Sequence, residues 1–496
     1  MKKTIITIIL WNILLLGFTQ TVSAENVKNN EDADLSFLPP SDDDDDQSTN
    51  TDISKANDNN ANKKQINEEL LENKSNTQFV LDNVFQAVSR KNQNDLVFNV
   101  SGADKENSDW SNLTRLGLRS DTELQNNLSF KTNLLLNIYT RNNDSFNSSK
   151  DIRFDIKEAY LSWQQSPTQF FDIGRINIKS GIASGFNPTD YFKVGSLIDR
   201  NTEDVSQLRD ARIGALVFQG QKLWEGGSLS VVVSPKITNK DNNWSTNKNI
   251  YGLNLQKSND RSRVMLKLNQ KITEDFAPEI IYYNESGKHN LGLNISRAFN
   301  NQWLGYAEWN IGERRKLVDE AFESLRNNQR LHPLISQKFT KDQSDSYQQQ
   351  FAVGFSYTSS LNITTNVEYH YNQASLSKAQ SKKWFDIAET SNNSAVLGQL
   401  LSIRGLARTR NEPLGQHSLF LRSKWNDALT ENLDLTGLLI SDLNDNSHLL
   451  QLEAEYELNP KSSLSLKLAK FQGDPKSNYG SLDNDLTTTL QFMYSF

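Results

Sequence analysis

The chain has 496 residues, no cysteine and a formal net charge of -7, and its mean hydropathy is -0.63. The missing thiols exclude disulfide staples and thiolate chemistry, and the mild acidity argues against a nucleic-acid partner. No long apolar stretch follows residue 24, which excludes a bundle of membrane-spanning helices.

Lys2 and Lys3 precede an apolar run from Ile5 to Phe18 and the small-residue end Val22-Ser23-Ala24. This is the pattern of a secretory signal peptide over 1–24, with cleavage expected after Ala24. The run is short for a membrane anchor. Residues 25–76 form a polar linker with Pro39-Pro40 and the acidic run Asp42 to Asp46. So little apolar area cannot offset the entropy of ordering, and a like-charge block reads as a solvated tether rather than a cation collector. Over 77–94, Leu81, Val84, Phe85 and Val88 recur at helical spacing, with Arg90 and Lys91 at the C-terminal end. That spacing predicts a short amphipathic helix or pre-barrel segment, with a first strand as the alternative.

From residue 95 to 496 the apolar period becomes two. Leu486, Thr488, Leu490, Phe492, Tyr494 and Phe496 share one face of the last segment, while Asp485, Thr487, Thr489, Gln491 and Ser495 share the other. Leu128 to Ile138 and Phe351 to Tyr357 repeat the alternation, one face suited to lipid and the other to water. A half-buried sheet in a soluble sandwich also alternates, so the connections decide. Short polar turns near Gln164–Thr168, Asn300-Asn301, Ser359-Ser360, Asp427–Asn432 and Asn459–Ser462 alternate with long insertions near Lys179–Asp210, Gly312–Ser346 and Asn372–Gly415. Trp163, Trp303 and Trp425 stand beside short turns, as an interfacial aromatic girdle requires.

The expected fold is therefore all-β: a transmembrane antiparallel up-and-down barrel of about 16–18 strands with long extracellular loops. The count is about eighteen if Pro278–Tyr283 lies in an outer loop. It is about sixteen if that stretch is a strand, or if the weak strand near Leu96 is absent.

Alternation also assigns the lumen. Glu453, Glu455 and Glu457 fall on one inward face, where summed negative potential favours cations unless basic groups neutralise it. Glu368 and His370 share another inward face, and Arg153, Lys157, Arg263, Lys267 and Lys467 supply basic partners. Arg175 precedes the insertion Lys179–Asp210, which either constricts the lumen or stays exposed. The five histidines show no His-x-Ser, His-Glu-x-x-His or Asp-x-His spacing, and adjacent His417 and Ser418 point to opposite faces of a strand. No catalytic residue, metal ligand or cofactor is expected from these patterns, and the chain reads as a non-enzyme.

Phe492, Tyr494 and Phe496, together with the secretion signal and the barrel-like tract, resemble the C-terminal signature of Gram-negative outer-membrane proteins. Gly174-Arg175, Gly181 and Asn187-Pro188-Thr189-Asp190 resemble the strand-then-loop pattern of large single-chain porin-like barrels, such as alginate-export-type channels. The resemblance implies residence in the outer membrane among its lipids and lipopolysaccharide, insertion by the barrel assembly machinery, and passive passage of polar solutes. Where the cargo is an exported saccharide, it also implies a periplasmic or inner-membrane export partner. The competing readings are a display or adhesin barrel with a plugged lumen, and an outer-membrane hydrolase.

Overall fold

The computed structural model describes residues 75–92, 95–99, 108–142, 145–239, 252–339, 345–391 and 393–496. The expected signal peptide and all but the end of the polar linker lie outside them. Eighteen antiparallel strands form one closed sheet. It opens with β1 (Ser75–Arg90), β2 (Trp110–Gln125), β3 (Leu128–Arg141), β4 (Ile152–Ser166), β5 (Gln169–Ile176) and β6 (Ala215–Trp224). It continues through β7 (Gly227–Ser234), β8 (Arg263–Gln270), β9 (Glu279–Glu285), β10 (Lys288–Ala298), β11 (Trp303–Arg314) and β12 (Ser346–Thr358). It ends with β13 (Ile363–Asn372), β14 (His417–Trp425), β15 (Leu433–Asp442), β16 (Ser447–Asn459), β17 (Ser462–Gln472) and β18 (Asn484–Ser495). Each strand pairs with its neighbours in sequence, and β1 closes the ring against β18. Closure leaves no sheet edge and satisfies the backbone without water, the condition for a sheet that crosses a bilayer.

Alternation produces an apolar exterior. Leu116, Ile173, Phe218, Phe355, Val367 and Leu452 point outward and are 46–57% exposed, the inverse of a soluble sandwich, which buries such residues. Every even-to-odd connection at one end is short. Long connections gather at the other, although β9–β10 and β15–β16 are joined there by tight turns. Two of the long connections are not polar coil. Residues 315–345 carry α1 (Leu317–Asn327) and α2 (Pro333–Lys338), and residues 373–416 carry α3 (Lys378–Thr390) and α4 (Ser394–Arg410). Together with Phe98 from the β1–β2 connection they bury a separate hydrophobic core around Leu317, Phe322, Trp384, Val396 and Leu400. Ser377 and Gln380 form a capping box that fixes where α3 begins.

The segment 77–94 corrects the helical reading. Ser75–Arg90 is the strand β1, paired with β18 on one side and β2 on the other. A helix there would bury the same apolar residues but leave the facing edges of β2 and β18 unpaired within hydrocarbon, so ring closure overrides local periodicity. The strand count of eighteen arises by a different route from the one expected. Pro278–Tyr283 contributes to β9 and no strand forms at Leu96, while β1 supplies the missing member.

Because the chain lacks cysteine, engineered thiols report the seam directly. Ala87 faces Thr488 across β1 and β18, so an Ala87→Cys/Thr488→Cys pair should cross-link on oxidation. The pair Ala87→Cys/Thr487→Cys, with side chains on opposite faces, should not. Equal cross-linking of both, or of neither, would contradict the closure register.

Candidate functional site

The connection between β5 and β6, residues 177–214, turns into the barrel and reaches the strands half-way round the ring. Its entry is fixed at the wall of origin, where the Asn177 N–H donates to Glu158 at 3.0 Å and Lys179 pairs with Asp210. The loop then meets two buried carboxylates that project inward from β11 and β13. Glu308 accepts from the N–H groups of Ile182, Ala183 (2.6 Å) and Thr189 (3.3 Å), the Asn187 amide (3.1 Å) and the Thr189 hydroxyl (3.0 Å). Glu368 accepts from the Ser184 and Gly185 N–H groups at 2.5 and 2.9 Å, and from the Tyr306 hydroxyl at 2.6 Å. Charge-assisted bonds to backbone N–H groups are strong, and here they satisfy amides that burial removes from water. Gly181 has φ +88°, and a Cβ on it would lie 2.7 Å from the Glu308 carboxylate, so this turn admits only glycine.

Beyond Thr189 the loop makes an internal frame. Asp190 pairs with Arg212 at 2.7 Å, and the Lys193 ammonium donates to the Asn187 carbonyl at 2.6 Å while lying 4.4 Å above the Phe186 ring. The far arm is tied to the opposite wall. The Glu203 N–H donates to Gln451 on β16 at 2.9 Å, Asp204 pairs with Arg422 on β14 at 2.8 Å, and Gln207 bridges Glu453 and Lys467. Arg200 reaches Asn411, just past α4, so the helical cap and the loop are joined. A cavity of about 300 Å³ bordered by Lys193, Arg212, His370, Arg408 and Ser418 lies on one side of the loop. One of about 450 Å³ bordered by Tyr191, Lys193, Arg261, Glu285 and Arg410 lies on another.

The residues expected in the lumen all come from inward faces, and most are already paired. Glu453 meets Lys467 at 3.1 Å, Arg153 meets Asp155 at 2.6 Å and Asp199 at 3.3 Å, and Lys267 meets Glu279 at 3.5 Å. Arg263 lies between Glu285 and Asp260 at 3.7 and 3.8 Å. Arg175 is buried and donates to the carbonyls of Ile156 and Leu253, fastening the β7–β8 connection rather than facing solvent. Lys157 occupies a bulge in the β3–β4 ladder and has no ion-pair partner among the described residues. Glu455 and Glu457 continue toward the short-turn end and are progressively more open.

His370 bonds Glu368 at 2.6 Å through Nε2 and approaches the Ser418 hydroxyl at 3.3 Å through Nδ1. The Ser418 hydroxyl thus joins the expected Glu368 and His370 in a row, and strand spacing did not announce it because it comes from the neighbouring strand. Both Glu368 oxygens also hold loop amides and Tyr306, so the row forms the footing of the loop. Among the described residues no group of side chains fits a metal ion. Alternation alone would also have placed Glu308 and Arg422 inward. The loop partners Lys193, Asp204 and Glu412 carried no periodic signal.

Electrostatics outside the strands follow burial. Lys193 is buried enough to be pushed down to about 8. Burial raises Glu412, but Arg314 at 2.8 Å and Arg410 outweigh it and hold the carboxyl far below the usual carboxylate range. Burial lowers Arg404 to about 10, and its guanidinium lies 4.9 Å from the Trp384 ring inside the cap.

No family model matches the chain, and no curated protein sequence matches it. Solved structures of similar strand arrangement include three from Pseudomonas aeruginosa. OccK11 (OpdR) has a TM-score of 0.47 at 10% identity over 85% of this chain and 96% of its own. OccK2 (OpdF) in complex with glucuronate has 0.47 at 10% identity over 85% and 98%. The outer membrane protein OprD has 0.45 at 12% identity over 86% and 96%. At this distance the reading of function is carried by the chain's own geometry.

Lys193 borders both cavities, so its charge should be felt by any ion that enters them. It is a cation below pH about 8 and neutral above, and anion preference at low salt should therefore fall as pH rises through that value. Lys193→Met should remove the pH step. Its folded value lies below the ordinary lysine value, so the charged form costs the fold stability at neutral pH, on the order of 3 kcal/mol, and the cost fades as pH rises toward the ordinary value. The parent should accordingly gain stability relative to that variant as pH rises from neutral through this window. A pH step that survives the substitution would exclude Lys193 as its source.

Proposed function

We propose that this chain is a channel of the Gram-negative outer membrane, through which small polar solutes pass beside the inward loop. The observation that carries the reading is the loop itself. A polar, glycine-bearing segment lies across the lumen, held by wall carboxylates, and is flanked by charged cavities of about 300 and 450 Å³, the size range of small-molecule sites. Apolar exterior, closed ring and short-turn Trp residues support the membrane part of the reading. A saccharide cargo or an export partner finds no feature of its own here. His370 and Ser418 serve the loop footing in this reading, and the chain works without catalysis.

A second reading, display, is favoured by one observation: the long-loop end carries a helical cap with its own buried core rather than loose coil. Planar-bilayer recordings separate the two. A channel should conduct as purified and conduct severalfold more when residues 182–207 are replaced by a short Gly-Ser linker. A display barrel should stay silent in both forms.

Charge in the wall gives a finer test. Glu453 is already matched by Lys467, so the acidic face has two open members, Glu455 and Glu457. Glu455→Gln/Glu457→Gln should shift the reversal potential in a salt gradient toward anions. The shift should shrink as salt rises, because the Debye length falls from about 30 Å at 0.01 M to about 3 Å at 1 M. An unchanged reversal potential at low salt would remove this face from the ion path.

We also read the last strand as the assembly signal. Tyr494 packs edge-on against Phe496, whose ring is 64% exposed, and the Phe496 N–H donates to Phe79. Phe496→Asp should reduce outer-membrane insertion while leaving export across the inner membrane intact. Normal insertion of that variant would withdraw the assignment.

A further inference from the structure

Three of the five histidines, His289, His417 and His448, begin β10, β14 and β16 at the long-loop end. Strand alternation turns them to the outer face, the same face as Leu291, Leu419 and Leu450 two residues along, which are 45%, 41% and 39% exposed. Each imidazole meets a hydroxyl through Nδ1: Tyr282 at 2.8 Å, Tyr369 at 2.6 Å and Ser441 at 2.8 Å. Among the described residues none of the three has a partner at Nε2. Lys470 on β17 joins this outer face opposite Leu450, sharing Asp485 at 3.4 Å.

The two rims of the barrel differ in chemistry. Four indoles, Trp163, Trp224, Trp303 and Trp425, mark the short-turn rim. The long-loop half has Trp110 on β2 and Trp309 on β11, and on the side from β10 to β17 it also carries imidazoles bonded to hydroxyls. An indole offers one neutral N–H to any headgroup layer. An imidazole whose Nδ1 accepts from a hydroxyl carries its proton on Nε2 and presents it outward, and it presents the same donor when protonated. Nε2 donors spaced along this rim, the one on β16 next to Lys470 on β17, directly above an apolar band, suit a ligand that has several acceptor oxygens and is anchored in hydrocarbon.

We propose that the long-loop rim from β10 to β17 binds the phosphate groups of phosphorylated lipids in that leaflet. A phosphomonoester supplies three acceptor oxygens and negative charge, and its acyl chains lie along Leu291, Leu419 and Leu450. The proposal rests on the membrane-spanning reading, and the test separates the two.

The full chain is reconstituted into phosphatidylcholine vesicles with and without phosphatidic acid, floated, and extracted in mild detergent, and the lipid that co-purifies is quantified. Phosphatidic acid should be enriched severalfold over its share of the vesicle. A His289→Phe/His417→Phe/His448→Phe variant keeps the rings and removes the donors, and the enrichment should be lost. A Trp163→Phe/Trp303→Phe control, altered at the other rim, should retain it. Equal enrichment in the histidine variant and the parent overturns the proposal. Loss of the enriched lipid on addition of equimolar inorganic phosphate assigns the rim to a free anion and overturns it as well. A chain that fails to float with either vesicle overturns the membrane reading beneath it, an outcome distinct from floating without enrichment.

Discussion

Two carboxylates that the barrel wall donates to a loop organise the interior of this protein. Glu308 and Glu368 are buried to 0% and 1% exposure, and an ionised carboxylate so placed is costly unless its lone pairs are filled. The loop fills them with backbone N–H groups from 182 to 189, while the same bonds satisfy amides that a loop inside a barrel cannot give to water. The loop amides depend on the carboxylates for partners, and the carboxylates on the loop for burial; removing a carboxylate leaves the amides it held unsatisfied, at about 1–3 kcal/mol for each orphaned group. This mutual dependence is what lets a long polar connection lie across a wide lumen.

The loop is held at both ends of its span by different physics. Near β11 and β13 the contacts are carboxylate-to-amide and leave no freedom in Gly181. Near β14 to β17 they are side-chain pairs, Asp204 with Arg422 and Gln207 with Glu453 and Lys467. The first set fixes the backbone path. The second fixes how far the far arm descends, and it draws on wall charges that would otherwise have set the potential of the lumen. Glu453 is the clearest case, since pairing it to Lys467 shortens the acidic face that Glu455 and Glu457 continue. Lumenal charge here is therefore divided into charge spent on architecture and a smaller share outside any ion pair.

How much of this was legible follows from range. Strand alternation is a local signal, so the inward faces of Glu368, His370, Glu453 and Lys267 were readable from spacing, as were the short turns and their tryptophans. Closure is not local. Ser75–Arg90 carries apolar residues at a spacing compatible with a helix, and only the unpaired edges of β2 and β18 decide for a strand. The helical cap was hidden for a similar reason: residues 372–415 read only as a long polar insertion, yet α3 and α4 become amphipathic partners once Trp384 and Leu400 find Leu317 and Phe322 across another loop. Pairing between strands separated by a long insertion likewise kept Ser418 from being seen beside His370 and Glu368.

The cap and the loop answer to one another through Glu412. Just past α4, this carboxylate accepts both guanidinium N–H groups of Arg314 at 2.8 and 2.9 Å, and Arg410 beside it holds Glu320 of α1 at 2.7 Å. Arg314 belongs to β11, the strand that also carries Glu308. One strand therefore anchors the cap at its upper end and the lumenal loop lower down, and Arg200 closes the circuit from loop to Asn411. Buried ion pairs contribute little net stability against apolar replacements, so packing in the cap core must hold the helices together. The ion pairs determine where that packed unit sits over the opening. A cap joined to the same strand as the constriction cannot shift without straining the footing of the loop, which makes the lumen and its outer mouth a single mechanical unit.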